Sequence, residues 1–168
     1  MNARLAFILL AAVVAFLLFG SIAYAGEVGA MLDMATIALA QSYAQVYSNL
    51  DPEEIEAVIL TESGGNPNSE NPADPSVGLM GVTLLIGRAY AGATSLNQLF
   101  DPDTNIKAGA GYLSELKGKY GERFPNSDPQ NGWIQMYNEG EPHFLAGERV
   151  VSYQTKYLKH LAAVGGTP

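Results

Sequence analysis

The residue in this chain best suited to proton chemistry is a glutamate at the end of an apolar helical face. Ile55, Val58, Ile59 and Glu62 fall at i, i+3, i+4 and i+7. Three apolar side chains and one carboxylate therefore share a stripe. Glutamate rarely enters such a stripe without a reason. Burial there disfavours the charged form, and so does the negative end of the helix dipole. A glutamate held neutral can donate a proton to a glycosidic oxygen. Thr61 and Ser63 flank it. Periodicity alone leaves an alternative open: a helix-end glutamate whose head group reaches water or pairs with Lys or Arg.

Other chemistries find no support in the residues. Asp101, Asp103 and Asn105 open like a calcium loop, but Ile106 replaces the glycine of the sixth position and Tyr112 the glutamate of the twelfth. Asp101 followed by Pro102 reads as a helix cap instead. His143 and His160 are the only histidines, and neither lies in a zinc-protease pattern. They read as surface residues. There is no cysteine, so disulfides and thiolate metal sites are excluded. No nucleophile elbow, phosphate loop or dinucleotide fingerprint occurs. The reading is an enzyme with no metal and no cofactor.

The 168 residues include 48% hydrophobic side chains, enough for one domain with a core and too many for a disordered chain. Seventeen acidic residues against nine basic ones give a net charge of -8. That balance argues against nucleic acid as a partner. It also argues against long-range capture of an anionic polymer, so a glycan would be held by local hydrogen bonds and stacking.

The elements that must position Glu62 read as helices. Met31 to Asn49 is rich in helix formers. Asp51-Pro52-Glu53-Glu54 carries a cap, a first-position proline and a capping box, and Gly64-Gly65 closes that helix. Residues 64–78 form a loop. Gly78 to Tyr90, Asp101 to Tyr120, Trp133 to Asn138 and Glu148 to Val164 are further predicted helices, with a loop from Phe124 to Gln130. No period-two alternation lasts long enough for a large sheet. Trp133, Tyr43, Tyr47, Tyr112 and Tyr120 read as packing residues, and Glu139 as a solvated surface charge.

Four blocks in order carry a resemblance. Thr61-Glu62-Ser63-Gly64-Gly65-Asn66-Pro67 resembles the glutamate-serine motif of lytic transglycosylases of the soluble type with a goose-lysozyme-like domain. Gly78-Leu79-Met80 is similar to that family's next motif. Leu99 to Pro102, with Asn105-Ile106 and Gly109 to Leu113, resembles its following helix, and Tyr137-Asn138-Glu139-Gly140 its tyrosine-asparagine motif. The resemblance spans about residues 44–161. It implies a mainly α, lysozyme-like single domain that cleaves peptidoglycan glycan strands between N-acetylmuramic acid and N-acetylglucosamine, leaving 1,6-anhydro ends. It implies Glu62 as the sole catalytic carboxyl, acid first and base afterwards. Ser63 would bond Glu62 or the substrate, and Met80 would line the sugar groove. Tyr137 would orient Glu62, and Asn138 would bind substrate or hold its loop. Tyr157, or with less support Tyr153, would sit against Glu62. Three positions depart from the family pattern: Gly81 replaces a usual glutamine, Met136 a usual alanine, and Glu139 a usual small residue. A Glu139 facing the cleft would raise the Glu62 pKa by repulsion.

Residues 1–25 have the layout of a secretory signal peptide: Arg4, an apolar stretch from Leu5 to Phe19, then Ala23-Tyr24-Ala25. A retained membrane anchor through residues 5–25 is the alternative, since that stretch would span roughly 31 Å as a helix. Residues 26–168 form the catalytic domain on either reading, which is exported to the periplasm or the outer face of the inner membrane, or carried by a phage particle. Two rivals remain: a lysozyme using Asp74 or Glu70 to position water, and a wall-binding or assembly protein without turnover.

Overall fold

The computed structural model describes residues 32–72 and 74–168. Residues 1–31, where the signal-peptide and anchor readings fall, and residue 73 lie outside the described residues. Among the described residues the architecture is mainly helical, with one small antiparallel sheet and no helix long and apolar enough to cross a membrane.

The site is built on helix α2, Pro52–Glu62. Its start is fixed as the sequence predicts: the Asp51 N–H donates to Glu54 Oε2 at 2.9 Å, and Pro52 fills the first turn. Glu54 also receives Lys117 Nζ at 2.6 Å, which ties α2 to a later helix. Ile55, Val58 and Ile59 are fully buried. The preceding helix α1, Met34–Val46, packs on α2 and is capped by Asp33, which accepts from Thr36 N at 2.7 Å.

After α2 the chain forms three two-residue strands, β1 (Glu70–Asn71), β2 (Ser76–Val77) and β3 (Val82–Thr83), in the order β1-β2-β3. Glu70 pairs with Val77, and Ser76 with Thr83. The predicted helix from Gly78 is therefore shorter than its apolar run: the run first makes a turn and β3, and α3 spans only Leu84–Ala91. Thr83 caps α3 and Gly92, at φ 71°, ends it.

Helix α4, Pro102–Tyr120, follows a 3-10 turn at Leu96–Phe100 and packs on α1 and α3. Its buried Ala108, Gly109, Ala110 and Gly111 leave little bulk around one full turn of the helix. A Cβ on Gly109 would lie 2.6 Å from Met80 Sδ and 2.9 Å from Tyr137 Oη, so only glycine admits both neighbours. Two short helices follow, α5 (Gln135–Glu139) and α6 (Glu141–Leu145). The last helix, α7 (Val151–Ala163), packs against α2. Trp133 is buried in the core, in line with its packing reading.

Candidate active site

Glu62 is the last residue of α2, partly buried, where that helix meets α7 and the turn between β2 and β3. Tyr153 of α7 donates its hydroxyl to Glu62 Oε1 at 2.6 Å. The other oxygen, Oε2, faces the bare backbone of Gly81, where a Cβ would stand only 2.7 Å away. Gly81 has φ 58°, a conformation that favours glycine. The carboxyl thus sits between a phenol and a glycine.

Burial raises the pKa of Glu62 above the ordinary carboxyl range. The Tyr153 hydrogen bond and the charge of Lys156 pull it back down, while the charge of Asp74 adds to the rise. Lys156 spends its ammonium on the Thr61 carbonyl rather than on the carboxylate. Tyr153 and Tyr137 are both pushed well above the usual phenol range, by burial first and by the charge of Glu62 second. Both remain hydroxyls, able to donate.

A cleft of about 240 Å³ opens beside Glu62. It is lined by Val82, Thr83, Leu85 and Ile86 and by Tyr112 with Tyr137 to Gly140. A second cavity of about 260 Å³ meets Glu62 and Gly81 from the side of Ser69, Glu70 and Ser76. Among the described residues no group of three or more His, Cys, Asp or Glu is placed to hold a metal.

The residues singled out by sequence divide into those at the cleft and those behind it. Glu62, Tyr137 and Asn138 line it. Tyr137 does not bond Glu62 directly; its hydroxyl donates to the Met80 carbonyl at 2.9 Å. Met80 itself is fully buried, with its side chain against Gly109, so it supports the floor from below rather than lining the groove with its side chain. The Ser63 hydroxyl is engaged by backbone, at 2.8 Å from Leu79 O and 3.1 Å from Ile59 O, and holds the chain reversal after α2. Tyr157 needs the largest correction. It is fully buried, its hydroxyl has no hydrogen-bond partner among the described residues, and the charges that act on it are those of Glu54 and Asp51. Tyr153, one helical turn earlier and the second of the two tyrosines the resemblance implied, holds the place against Glu62.

Three further residues line the cleft: Tyr112 and Glu139, read from sequence as a packing residue and a surface charge, and Asp74, which the lysozyme alternative placed near Glu62. Tyr112 lines it and packs against Tyr137 with the rings tilted by 39° and their centroids 5.5 Å apart. Asp74 lines it too. Glu139, read as a solvated charge, lines it, with Oε2 buried and without a hydrogen-bond partner among the described residues. The available signal for Glu139 was its position beside Tyr137-Asn138 at the end of a short helix.

A helical domain with a partly buried carboxyl of raised pKa at the edge of a polar cleft is an arrangement able to pass a proton to and from a bound molecule. Comparison with known proteins gives the family. The transglycosylase SLT domain matches residues 39–161, and the chain belongs to that family. It is 31% identical over 123 residues to a transglycosylase of Enterobacteria phage PRD1, covering 73% of this chain and 42% of that protein. It is 29% identical over 107 residues to membrane-bound lytic murein transglycosylase F of Serratia proteamaculans (strain 568), covering 64% of this chain and 21% of that protein. The chain thus spans less than half the length of these curated relatives. Its fold is similar to that of an inactive mutant of lytic transglycosylase Slt from Pseudomonas aeruginosa, with TM-score 0.53 and 19% identity over 76% of this chain and 22% of the other. The domain is therefore mainly α and lysozyme-like, as the four sequence blocks implied.

Proposed function

We propose that this protein is a peptidoglycan lytic transglycosylase, cleaving the β-1,4 bond between N-acetylmuramic acid and N-acetylglucosamine without water. Protonated Glu62 gives its proton to the bridging oxygen as the bond to C1 breaks. The carboxylate so formed then takes the proton of the C6 hydroxyl, whose oxygen bonds to C1. The products are a 1,6-anhydro end and a free hydroxyl on the neighbouring sugar, and Glu62 returns to its starting state. An intramolecular hydroxyl has an effective concentration far above that of water, so one carboxyl suffices.

The observation that carries this reading is the environment of Glu62: partly buried, with raised pKa, held by Tyr153, and open to the cleft. Family membership supports it. A peptidoglycan substrate places the action outside the cytoplasm, which fits the export reading of residues 1–25. Asp74 gives one observation in favour of a second reading, hydrolysis, since it faces the same cleft and acts on Glu62 by charge.

Mass spectrometry of muropeptides after digestion tests the proposal. Anhydro ends are expected; reducing ends alone would assign a hydrolase, and no cleavage would leave a wall-binding protein. Glu62→Gln should lower turnover by roughly 10²- to 10⁴-fold while leaving the circular dichroism spectrum unchanged. Retained turnover would mean that another group carries the proton.

A further inference from the structure

Helix α2 carries acidic residues in its first turn and no basic residue in its last. It ends on Glu62, an acid at the negative end of the dipole. The last carbonyls of a helix need donors from outside it. Were α2 to continue, the Gly65 N–H would serve the Thr61 carbonyl, but it bonds Ser63 Oγ at 3.1 Å instead. The donor comes from α7, where Lys156 gives its ammonium to that carbonyl. The same helix grips Thr61 a second time. Thr61 Oγ1 donates to the Ala57 carbonyl at 2.6 Å, so it accepts from His160 Nδ1, 3.1 Å away. Tyr153 holds Glu62 itself at 2.6 Å. Tyr153, Lys156 and His160 thus form one stripe of α7 that fixes the last two residues of α2. Lys156 lines neither cavity beside Glu62, so it acts from behind the site.

We propose that Lys156 is a positioning residue of the reaction: it clamps the final turn of α2 through the Thr61 carbonyl, so that Glu62 meets Tyr153, and it supplies the positive charge that α2 lacks at that end. This rests on the proton-transfer reading of Glu62. A cation nearby favours the carboxylate that Glu62 becomes once its proton has gone to the bridging oxygen. The other groups that meet Glu62 are the Tyr153 hydroxyl and Asp74, and Tyr137 feels its charge. His160 meets Thr61 from the same helix, and its pKa is lowered, by burial first and then by Lys156 and Lys159. It therefore titrates on the acid side and leaves the alkaline limb of a pH profile to Glu62. Lys156 is exposed, so its charge is partly screened and its effect is read at low salt.

The test compares Lys156→Met, which loses both charge and donor, with Lys156→Arg, which keeps both. Two quantities are measured at low salt. One is kcat against pH on soluble glycan strands. The other is the titration midpoint of the Glu62 carboxyl by carbon-13 NMR without substrate, its signal assigned by its loss in Glu62→Gln. In Lys156→Met the midpoint and the alkaline limb should both move to higher pH, and kcat should fall about threefold to tenfold with KM unchanged. Lys156→Arg should return the midpoint to the parent value and kcat to within about twofold. Circular dichroism melting reports whether each variant is folded, and Lys156→Gln, also neutral, replaces Lys156→Met if that protein does not fold. An unmoved midpoint in the neutral variant would overturn the proposal, even with a loss of kcat, since that loss would then be structural alone. A folded Lys156→Arg protein that keeps the shifted midpoint would overturn it too. A parent protein that cleaves no glycan would sink the reading of the reaction, and the NMR midpoint would still decide for or against the charge of Lys156.

Discussion

In the proposed reaction Glu62 serves as an acid only while protonated, and the groups around it pull in opposite directions. Burial holds the proton on, and the Tyr153 hydroxyl, bonded to the carboxylate, helps release it. Tyr153→Phe removes a contact that favours the charged form, so the pKa of Glu62 should rise further. The rate of an acid-catalysed step follows the protonated fraction, and the alkaline limb of the pH–kcat profile should move to higher pH. Loss of positioning should lower kcat about tenfold at the same time. A limb that stays in place would mean that Tyr153 does not act on the acid. The same raised pKa has a cost in stability. The folded protein binds this proton more tightly than the unfolded chain does. The stability Glu62 contributes is therefore fully present below the unfolded carboxyl pKa and is lost as pH rises through the folded one. Glu62→Gln carries no such loss. Its melting temperature should exceed that of the parent at neutral pH, and the difference should shrink toward about pH 4, measured by scanning calorimetry. An equal melting temperature at both pH values would mean that burial does not strain this carboxyl.

Positioning of the cleft floor depends on one buried asparagine at the element scale. Asn105 of α4 is fully buried and bonds three backbone groups: Met80 N at 2.8 Å, Val77 O at 2.8 Å and Leu99 O at 2.7 Å. It fastens the β2–β3 turn, and with it Met80 and Gly81, to the long helix. Asn105→Ala would orphan all three groups and should cost roughly 3 kcal/mol in urea unfolding. Turnover at temperatures well below unfolding should fall as well, because Gly81 walls Glu62; full activity would separate the turn from the site. Element-level order was only partly legible beforehand. The starts of α2 and α4 were read correctly because their caps are local chemistry, an aspartate followed by a proline. The apolar face ending in Glu62 was legible for the same reason, since 3.6-residue periodicity needs no partner. The strands were not, because a two-residue strand cannot show alternation. The choice between Tyr153 and Tyr157 lay beyond periodicity too. Residues four apart share one helical stripe, and the height at which α7 crosses α2 decides which one reaches Glu62. Asn105 was seen in the sequence only as part of a failed calcium pattern and a family block, and its burial came from tertiary packing.

Glu62 and Tyr153 lie 91 residues apart in the chain, so the site exists only when the whole domain is assembled. Electrostatics also acts at this scale. The chain carries a net charge of -8, and its cleft holds Glu62, Asp74 and Glu139 with no lysine, arginine or histidine among its lining residues. A neutral glycan strand approaches such a surface without penalty, whereas a strand dressed with anionic polymers is repelled at long range. Added salt screens that repulsion, with a Debye length of about 10 Å at 0.1 M. Initial rates on intact walls bearing anionic polymers should therefore rise about twofold or more between 0.02 and 0.2 M salt, on the order expected for long-range screening. Rates on walls stripped of those polymers should change little, because hydrogen bonds in the cleft are short-range and persist in salt. Dye release from labelled walls at matched pH measures both. A rate that falls with salt on intact walls would point instead to capture by basic residues, and an acidic cleft would then not be the surface that meets the wall first.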